Sequence, residues 1–241
     1  MKPMRAFLIV VALSATTATT RAAQVQGKVE EVSQGWTETI DEVIDVKAGG
    51  TLRVDSDRGR IEIDSEDRKG VRVIIEKSVD VITEAEARLV LQDYKVDITG
   101  SGDLVEVTTE SDSDRRTRFL QVSVRVIVPT HFNVDVETGG GGIDIGDLEG
   151  NVTARTSGGG IDVGYIRNGS VNVHTSGGRI EIDGINNGNG VAQTSGGGIT
   201  VGDVTCDLSA NTAGGGINVG AVGGHLTVKT SGGGISIGKG E

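Results

Sequence analysis

The sequence predicts an all-β protein, a parallel β-solenoid of 18–19-residue turns carrying one inserted short helix. Three observations lead there. A near-identical string recurs, as TGGGGIDI from Thr138, TSGGGIDV from Thr156, TSGGRIEI from Thr175, TSGGGITV from Thr194, TAGGGINV from Thr212 and TSGGGISI from Thr230, at spacings of 18, 19, 19, 18 and 18. Aligned on the threonine, apolar and polar residues separate into columns with a period of two. Glycine makes up 39 of 241 residues and 31 of these fall in 138–241, whereas aromatics total six, so the core must be aliphatic. A unit this short holds too few apolar groups to fold alone, and copies must stack to share an interior.

The columns justify each strand. Val134, Val152, Val171, Gly190, Leu208 and Leu226 stand four residues before the threonines, and Val136, Ala154, Val173, Ala192, Ala210 and Val228 stand two before. After the glycines come Ile143, Ile161, Ile180, Ile199, Ile217 and Ile235, then Ile145, Val163, Ile182, Val201, Val219 and Ile237, with Leu148, Ile166, Ile185, Val204 and Val222 a few positions on. Intervening positions are mostly polar. Alternation within a copy means half-buried strands, and alignment between copies means parallel strands about 4.8 Å apart. The glycine clusters mark corners, where a positive φ or a close backbone approach excludes a side chain. The threonines are expected to face inward, with the hydroxyl bonded to the next turn.

The template recurs upstream. Leu52-x-Val54-x-Ser56, four residues, then Ile61-x-Ile63 has the spacing of Val152-x-Ala154-x-Thr156, four residues, Ile161-x-Val163, so the solenoid is expected to begin near residue 43. Residues 76–128 read as an insertion lying beside or capping the stack, with strand-like runs at 104–108 and 121–128, ended by Pro129. Inside it, Thr83-Glu84-Ala85-Glu86 forms a capping box ahead of Ala87, Leu89, Val90 and Leu91, which predicts a helix near 83–93. Residues 1–22 read as an export signal: Lys2 and Arg5 supply the positive start, 6–15 is apolar but too short to span a bilayer, and small residues stand at Thr20 and Ala22. Residues 23–241 then form a single solenoid domain, with regular Gly-rich repeats over 134–241.

Charge and thiol content narrow the function. Lys+Arg 23 against Asp+Glu 34 gives −11, and loss of Lys2, Arg5 and Arg21 with the signal takes it to −14. That sign argues against nucleic acid and anionic lipid as partners. The one cysteine, Cys206, excludes a disulfide framework and a thiolate metal site. The best carboxylate set for a glycan-active site is the stacked file Asp144, Asp162 and Glu181 beside Arg155, Arg179 or His174, but each acid occupies an ordinary outward position of the repeat, where later turns put Thr200, Asn218 and Ser236. Gly139-Gly140-Gly141-Gly142-Ile143-Asp144 partly matches a calcium-binding nonapeptide, which singles out Asp144 and Asp162, and fails where Gly146 replaces the large apolar residue. His131, His174 and His225 lack metal-ligand spacing. The sequence therefore assigns no catalytic, cofactor-binding or metal residues.

The junction Val128-Pro129, the following Val134-x-Val136-x-Thr138 and the run of TSGGGI-x-V turns resemble the DUF4097 family of bacterial exported β-strand repeat proteins, also known as toastrack or adhesin domains. The likeness covers roughly 40–241. It implies a β-solenoid in the cell envelope, an adhesin-like or scaffolding role and, by analogy with some relatives, a link to envelope stress sensing; it implies no active-site motif. The expectation is a non-enzymatic exported interaction module, periplasmic or secreted, with an envelope protein or glycan as partner and self-association through the C-terminal turn. The alternatives are an envelope-stress sensor and a polysaccharide-active β-helix enzyme.

Overall fold

The computed structural model describes residues 25–33, 35–112 and 114–238. The expected export signal lies outside the described residues. Two long sheets face each other, one of nine strands and one of twelve, and between them they form eight stacked coils among the described residues. Strand pairing through the repeats is parallel and in register. Val134, Val152, Val171, Gly190, Leu208 and Leu226 pair successively across the first sheet. Ile143, Ile161, Ile180, Ile199, Ile217 and Ile235 do so across the second. The register is the one the threonine alignment predicts.

The inward columns make one continuous core. Ile143, Ile161, Ile180, Ile199 and Ile217 are at most 2% exposed. Gly190 occupies an inward position without a side chain because Leu208 and Ile185 fill its space; a Cβ there would lie 2.7 Å from Leu208 Cδ1. The second sheet bends within each coil. In Ile161–Arg167 the buried positions are Ile161, Val163 and Ile166, a step of three after a step of two. That shift turns Leu148, Ile166, Ile185 and Val204 inward as a third file.

The glycine corners have a different cause from positive φ. Among the described residues, positive φ occurs at Gly35, Gly49, Gly59, Gly70, Gly102 and Gly150, and at Asn168 and Asn187, but at none of the triple-glycine corners. What the corners need is close approach. A Cβ on Gly159 would lie 2.1 Å from the carbonyl oxygen of Gly141, and on Gly178 it would lie 1.9 Å from that of Gly159. The same carbonyls accept the threonine hydroxyls: Thr156 Oγ1 donates to Gly141 O and Thr175 Oγ1 to Gly159 O, both at 2.8 Å. Each hydroxyl also accepts from its own corner, as from Gly159 N at 3.4 Å. The threonines thus face inward as expected, but they bond the preceding coil, since the following corner's carbonyl serves the next threonine.

The upstream template is a true coil, placed unexpectedly. Thr51–Ser56 and Arg60–Glu66 stack on the 133–149 coil with Leu52 opposite Val134 and Ile61 opposite Ile143. The parallel rungs begin there and not near residue 43, because Gly35–Ile44 pairs antiparallel with Val71–Val79. The expectation that 76–128 lies wholly beside or over the stack is also corrected. Leu104–Ser111 pairs parallel with Thr51–Ser56, and Gln121–Pro129 pairs parallel with Arg60–Glu66, so 104–129 is itself a coil. Its Val105, Val107 and Thr109 continue the inward columns opposite Leu52, Val54 and Ser56. The coil was concealed in sequence because a longer link containing the short helix Asp114–Thr117 replaces the glycine corner. The 51–66 coil therefore sits between 104–129 and 133–149, although it precedes both in the chain.

The remaining early segments form an antiparallel cap. Lys28–Val32, Gly35–Ile44 and Val71–Val79 extend one sheet beyond Gln121–Pro129, and Tyr94–Ser101 extends the other beyond Leu104–Ser111. The inserted helix α1 spans Glu84–Gln92, with Thr83 as N-cap accepting from Glu86 N at 3.3 Å. Its buried residues are Ala87 and Leu91, whereas Leu89 is exposed.

Two outcomes test this packing. Ile199→Asp places an unpaired charge in the shared core and is expected to cost several kcal/mol in chemical denaturation, against about 1 kcal/mol for Thr200→Asp on the outer face, where the new carboxylate stacks on Glu181. Gly178→Ala, driven into a backbone carbonyl, is expected to cost about 2 kcal/mol or more, whereas Gly140→Ala meets nothing within 4 Å and should stay within about 1 kcal/mol of the parent.

Candidate functional site

An open groove of about 470 Å³ runs along the bend of the twelve-stranded sheet, lined by Glu62, Asp64, Asp144, Asp147, Asp162, Glu181 and Asp183 with Arg179. Period-two alternation puts these acids outward, and in-register stacking puts Glu62, Asp144, Asp162 and Glu181 one above another. Like charges at this spacing repel by about 1 kcal/mol in water. Arginines on adjacent coils offset that repulsion. Arg60 Nε lies 2.8 Å from Asp144 Oδ2, and Arg179 Nη2 lies 3.3 Å from both Asp162 Oδ1 and Glu181 Oε2. At the upper end Arg125 Nη2 binds Asp64 at 2.6 Å.

The structure brings together part of the sequence's candidate set. Asp144, Asp162, Glu181 and Arg179 share the groove. Arg155 and His174 do not join them: they pair with each other on the nine-stranded sheet, on another face of the stack. The two acids singled out for calcium, Asp144 and Asp162, are each held by an arginine. Among the described residues, no group of three or more His, Cys, Asp and Glu side chains is arranged to hold a metal ion. Of the histidines, His131 Nδ1 lies 2.7 Å from Glu149, and the backbone N–H of His225 donates to Asp207.

One polar array was not foreseen. From the 133–149 coil to the coil beginning at Leu208, the side chain at or just before the start of the first-sheet strand accepts the backbone N–H of its counterpart one coil on. Asn133 Oδ1 takes Asn151 N at 2.9 Å, Asn151 Oδ1 takes Ser170 N at 3.0 Å, and Ser170 Oγ takes Asn189 N at 3.3 Å. Asn189 Oδ1 then takes Asp207 N at 3.2 Å, and Asp207 Oδ1 takes His225 N at 2.7 Å. The available signal was a column of short polar acceptors directly before the Val/Leu column. Its side chains satisfy a corner that would otherwise leave donors unpaired.

Buried polar groups gather under the cap. Lys77 Nζ lies 2.5 Å from Glu38 Oε2 and donates to the carbonyls of Leu91 and Tyr94 at 3.1 and 3.3 Å, while Glu38 Oε1 accepts from Gly27 N at 2.7 Å. Nearby, the Tyr94 hydroxyl bonds Thr109 Oγ1 at 2.9 Å, which in turn bonds Ser56 Oγ at 2.7 Å. This cluster ends the threonine column and ties helix, cap and first two coils together. Burial pushes the Tyr94 phenol up to about 12 from its ordinary 10.0.

The other end of the stack is uncovered among the described residues. Among the described residues Leu226–Lys229 and Ile235–Ile237 each pair on one side only. Ile235 and Ile237 are 45% and 50% exposed, against 2% for their counterparts Ile217 and Val219 one coil earlier.

No family model matches the chain, and no curated protein does. Solved structures with partial likeness include a "putative adhesin" from Bacteroides fragilis (TM-score 0.44, 14% identity, 83% of this chain and 97% of that one). A "putative cell adhesion protein" from Clostridium sporogenes gives a TM-score of 0.34 at 11% identity over 84% of this chain and 100% of that one. A further "putative adhesin", from Parabacteroides distasonis, gives 0.33 at 12% identity over 83% and 97%. With scores this low, the fold assignment rests on this chain's own strand pairing. Among the described residues no helix is long and apolar enough to cross a membrane.

Because the Tyr94 phenol is held neutral in the folded state, its contribution is complete below pH 10 and fades as pH rises toward 12, where the unfolded chain ionises first. Replacing it by Phe should flatten that part of the stability-versus-pH curve by an amount of order 2 kcal/mol in urea titrations. An unchanged slope would show that the hydroxyl is not sequestered.

Proposed function

We propose that the chain is a non-enzymatic contact or scaffold module, adhesin-like in the broad sense, exported by residues 1–22 and working in the periplasm or outside the cell. The observation that carries this reading is the last described coil, where, among the described residues, two strand edges lie unpaired beside the exposed side chains of Ile235 and Ile237. Exposed edges and apolar surface at one place are the ordinary requirements of a protein contact. The rest of the surface supports the reading by its chemistry. The groove acids Asp144, Asp162 and Glu181 are engaged by arginines, and the polar corner residues are engaged by backbone. Coils this slender carry few long loops to shield a substrate from water. The family resemblance and the adhesin names of the low-identity structures agree with a binding role and name no partner.

The test compares the intact chain with one lacking residues 230–241, each immobilised against envelope proteins and glycans. The expected result is a ligand retained by the intact chain and lost on truncation; equal retention by both would remove the coil end from the function. A parallel screen against polysaccharides expects no turnover. Turnover abolished by Asp162→Asn with folding intact would replace the contact reading by a glycan-active enzyme.

A further inference from the structure

We propose that the partner taken up at the open end is a second copy of this chain, joined coil eight to coil eight about a two-fold axis, so that assembly stops at the dimer. The inference rests on the coil end being a contact surface and adds its occupant.

Three observations select that occupant. The first is shape. Two strand edges, one from each sheet, are uncovered in the last described coil, with part-buried Leu226 and Val228 on one and exposed Ile235 and Ile237 on the other. A single strand from an unrelated protein can pair with one edge and leaves the other edge and the core end wet. A second copy presents both edges at the matching separation and seals both at once.

The second observation is polarity of the stack. Its far end finishes unevenly: Val71–Val79, Gly35–Ile44 and Lys28–Val32 run three strands deep beyond Gln121–Pro129 in one sheet, whereas Tyr94–Ser101 alone extends the other. The outermost edges there stand at different depths, so another copy's last described coil cannot cover both at once. Between copies, the two coil ends of like shape match best, and that contact is isologous and closes.

The third is charge. An isologous contact sets every residue near its own copy, so acids there would repel. From Leu208 to Gly238 the sequence contains no Asp or Glu, although the chain holds 34 and its net charge is −11. The cations and histidines of that stretch are Lys229 and His225 alone. The last two coils are thus the stretch of this acidic stack that a second copy can approach without carboxylate repulsion.

Pleat parity narrows the pairing. Facing residues of an antiparallel pair share a side of the sheet, so the axis crosses a residue; placed at Thr227 and Ser236, inside Leu226–Lys229 and at the middle of Ile235–Ile237, it sets the apolar residues of each edge against one another. Leu226 then opposes the partner's Val228, and Ile235 opposes the partner's Ile237. The two sheets face each other, which lets one axis pass through both strand centres.

Sedimentation velocity of the purified chain should show a concentration-dependent monomer–dimer equilibrium with no larger species. Ile235→Asp and Ile237→Asp, at positions already exposed in the monomer, should weaken the dimer by at least roughly 100-fold while far-UV circular dichroism stays unchanged, because like charges apposed in an interface are strongly unfavourable. A second readout avoids the apolar positions: in a Cys206→Ser background, Thr227→Cys should form a disulfide-linked dimer on mild oxidation, since the axis sets residue 227 against itself, and Thr153→Cys should not. A monomer at all concentrations, assemblies growing past the dimer, or a dimer that Thr227→Cys fails to link would each overturn the proposal. A monomer that still retains a ligand in the binding assay above would lose this occupant and keep the contact reading.

Discussion

The whole structure depends on in-register parallel stacking, in which each residue lies over its own counterpart. That constraint repeats every local interaction at each level. An isoleucine buried once is buried as part of a column from Ile61 to Ile217, and a hydroxyl bond made once at Thr156 is made again at Thr175, Thr194 and Thr212. The corner is where the constraint is tightest. One carbonyl per coil receives the threonine above it and leaves no room for a Cβ on the glycine above it. Hydroxyl and missing side chain are therefore two halves of one device, and the TSGGG string records it.

In-register stacking also governs the surface. It lines up acids as readily as isoleucines, and the groove from Glu62 to Glu181 is the result. Arginines placed two residues before the file, Arg60 and Arg179, reach between levels and make the repetition tolerable. Beyond Glu181 the file turns neutral through Thr200, Asn218 and Ser236. The charged, capped end and the neutral, open end are thus two different surfaces on one scaffold.

The repeat, the inward columns and the register were legible because stacking copies identity into the sequence at a fixed spacing. The Leu52 and Ile61 coil was legible for the same reason, since its four-residue corner keeps the spacing. The 104–129 coil was not, because its corner is replaced by a helical link and the interval between Thr109 and Val124 no longer matches. Order along the stack was hidden too: spacing tells which residues align but not which coil lies above which. At the groove, the acid file and Arg179 could be read from alternation, whereas separating Arg155 and His174 from them required knowing that the two strands of a coil belong to opposite sheets. The ladder of Asn133, Asn151, Ser170, Asn189 and Asp207 leaves a column of short polar residues before the Val/Leu column, but strand alternation does not extend to these coil junctions and so does not single it out.

The order of the coils has a consequence for how the chain comes to be folded. In an ordinary tandem array each repeat can dock on the one made before it, and winding can follow synthesis. Here residues 51–66 are flanked by partners that arrive only with 104–129 and 133–149. Until those segments emerge, an early-made coil waits with both faces of its backbone ladder uncovered, the condition in which strands find wrong neighbours. The later repeats face no such delay, because each follows its template directly. Residues 51–149 are thus where folding is expected to be slowest, and the glycine-rich array is the part free to wind on behind them.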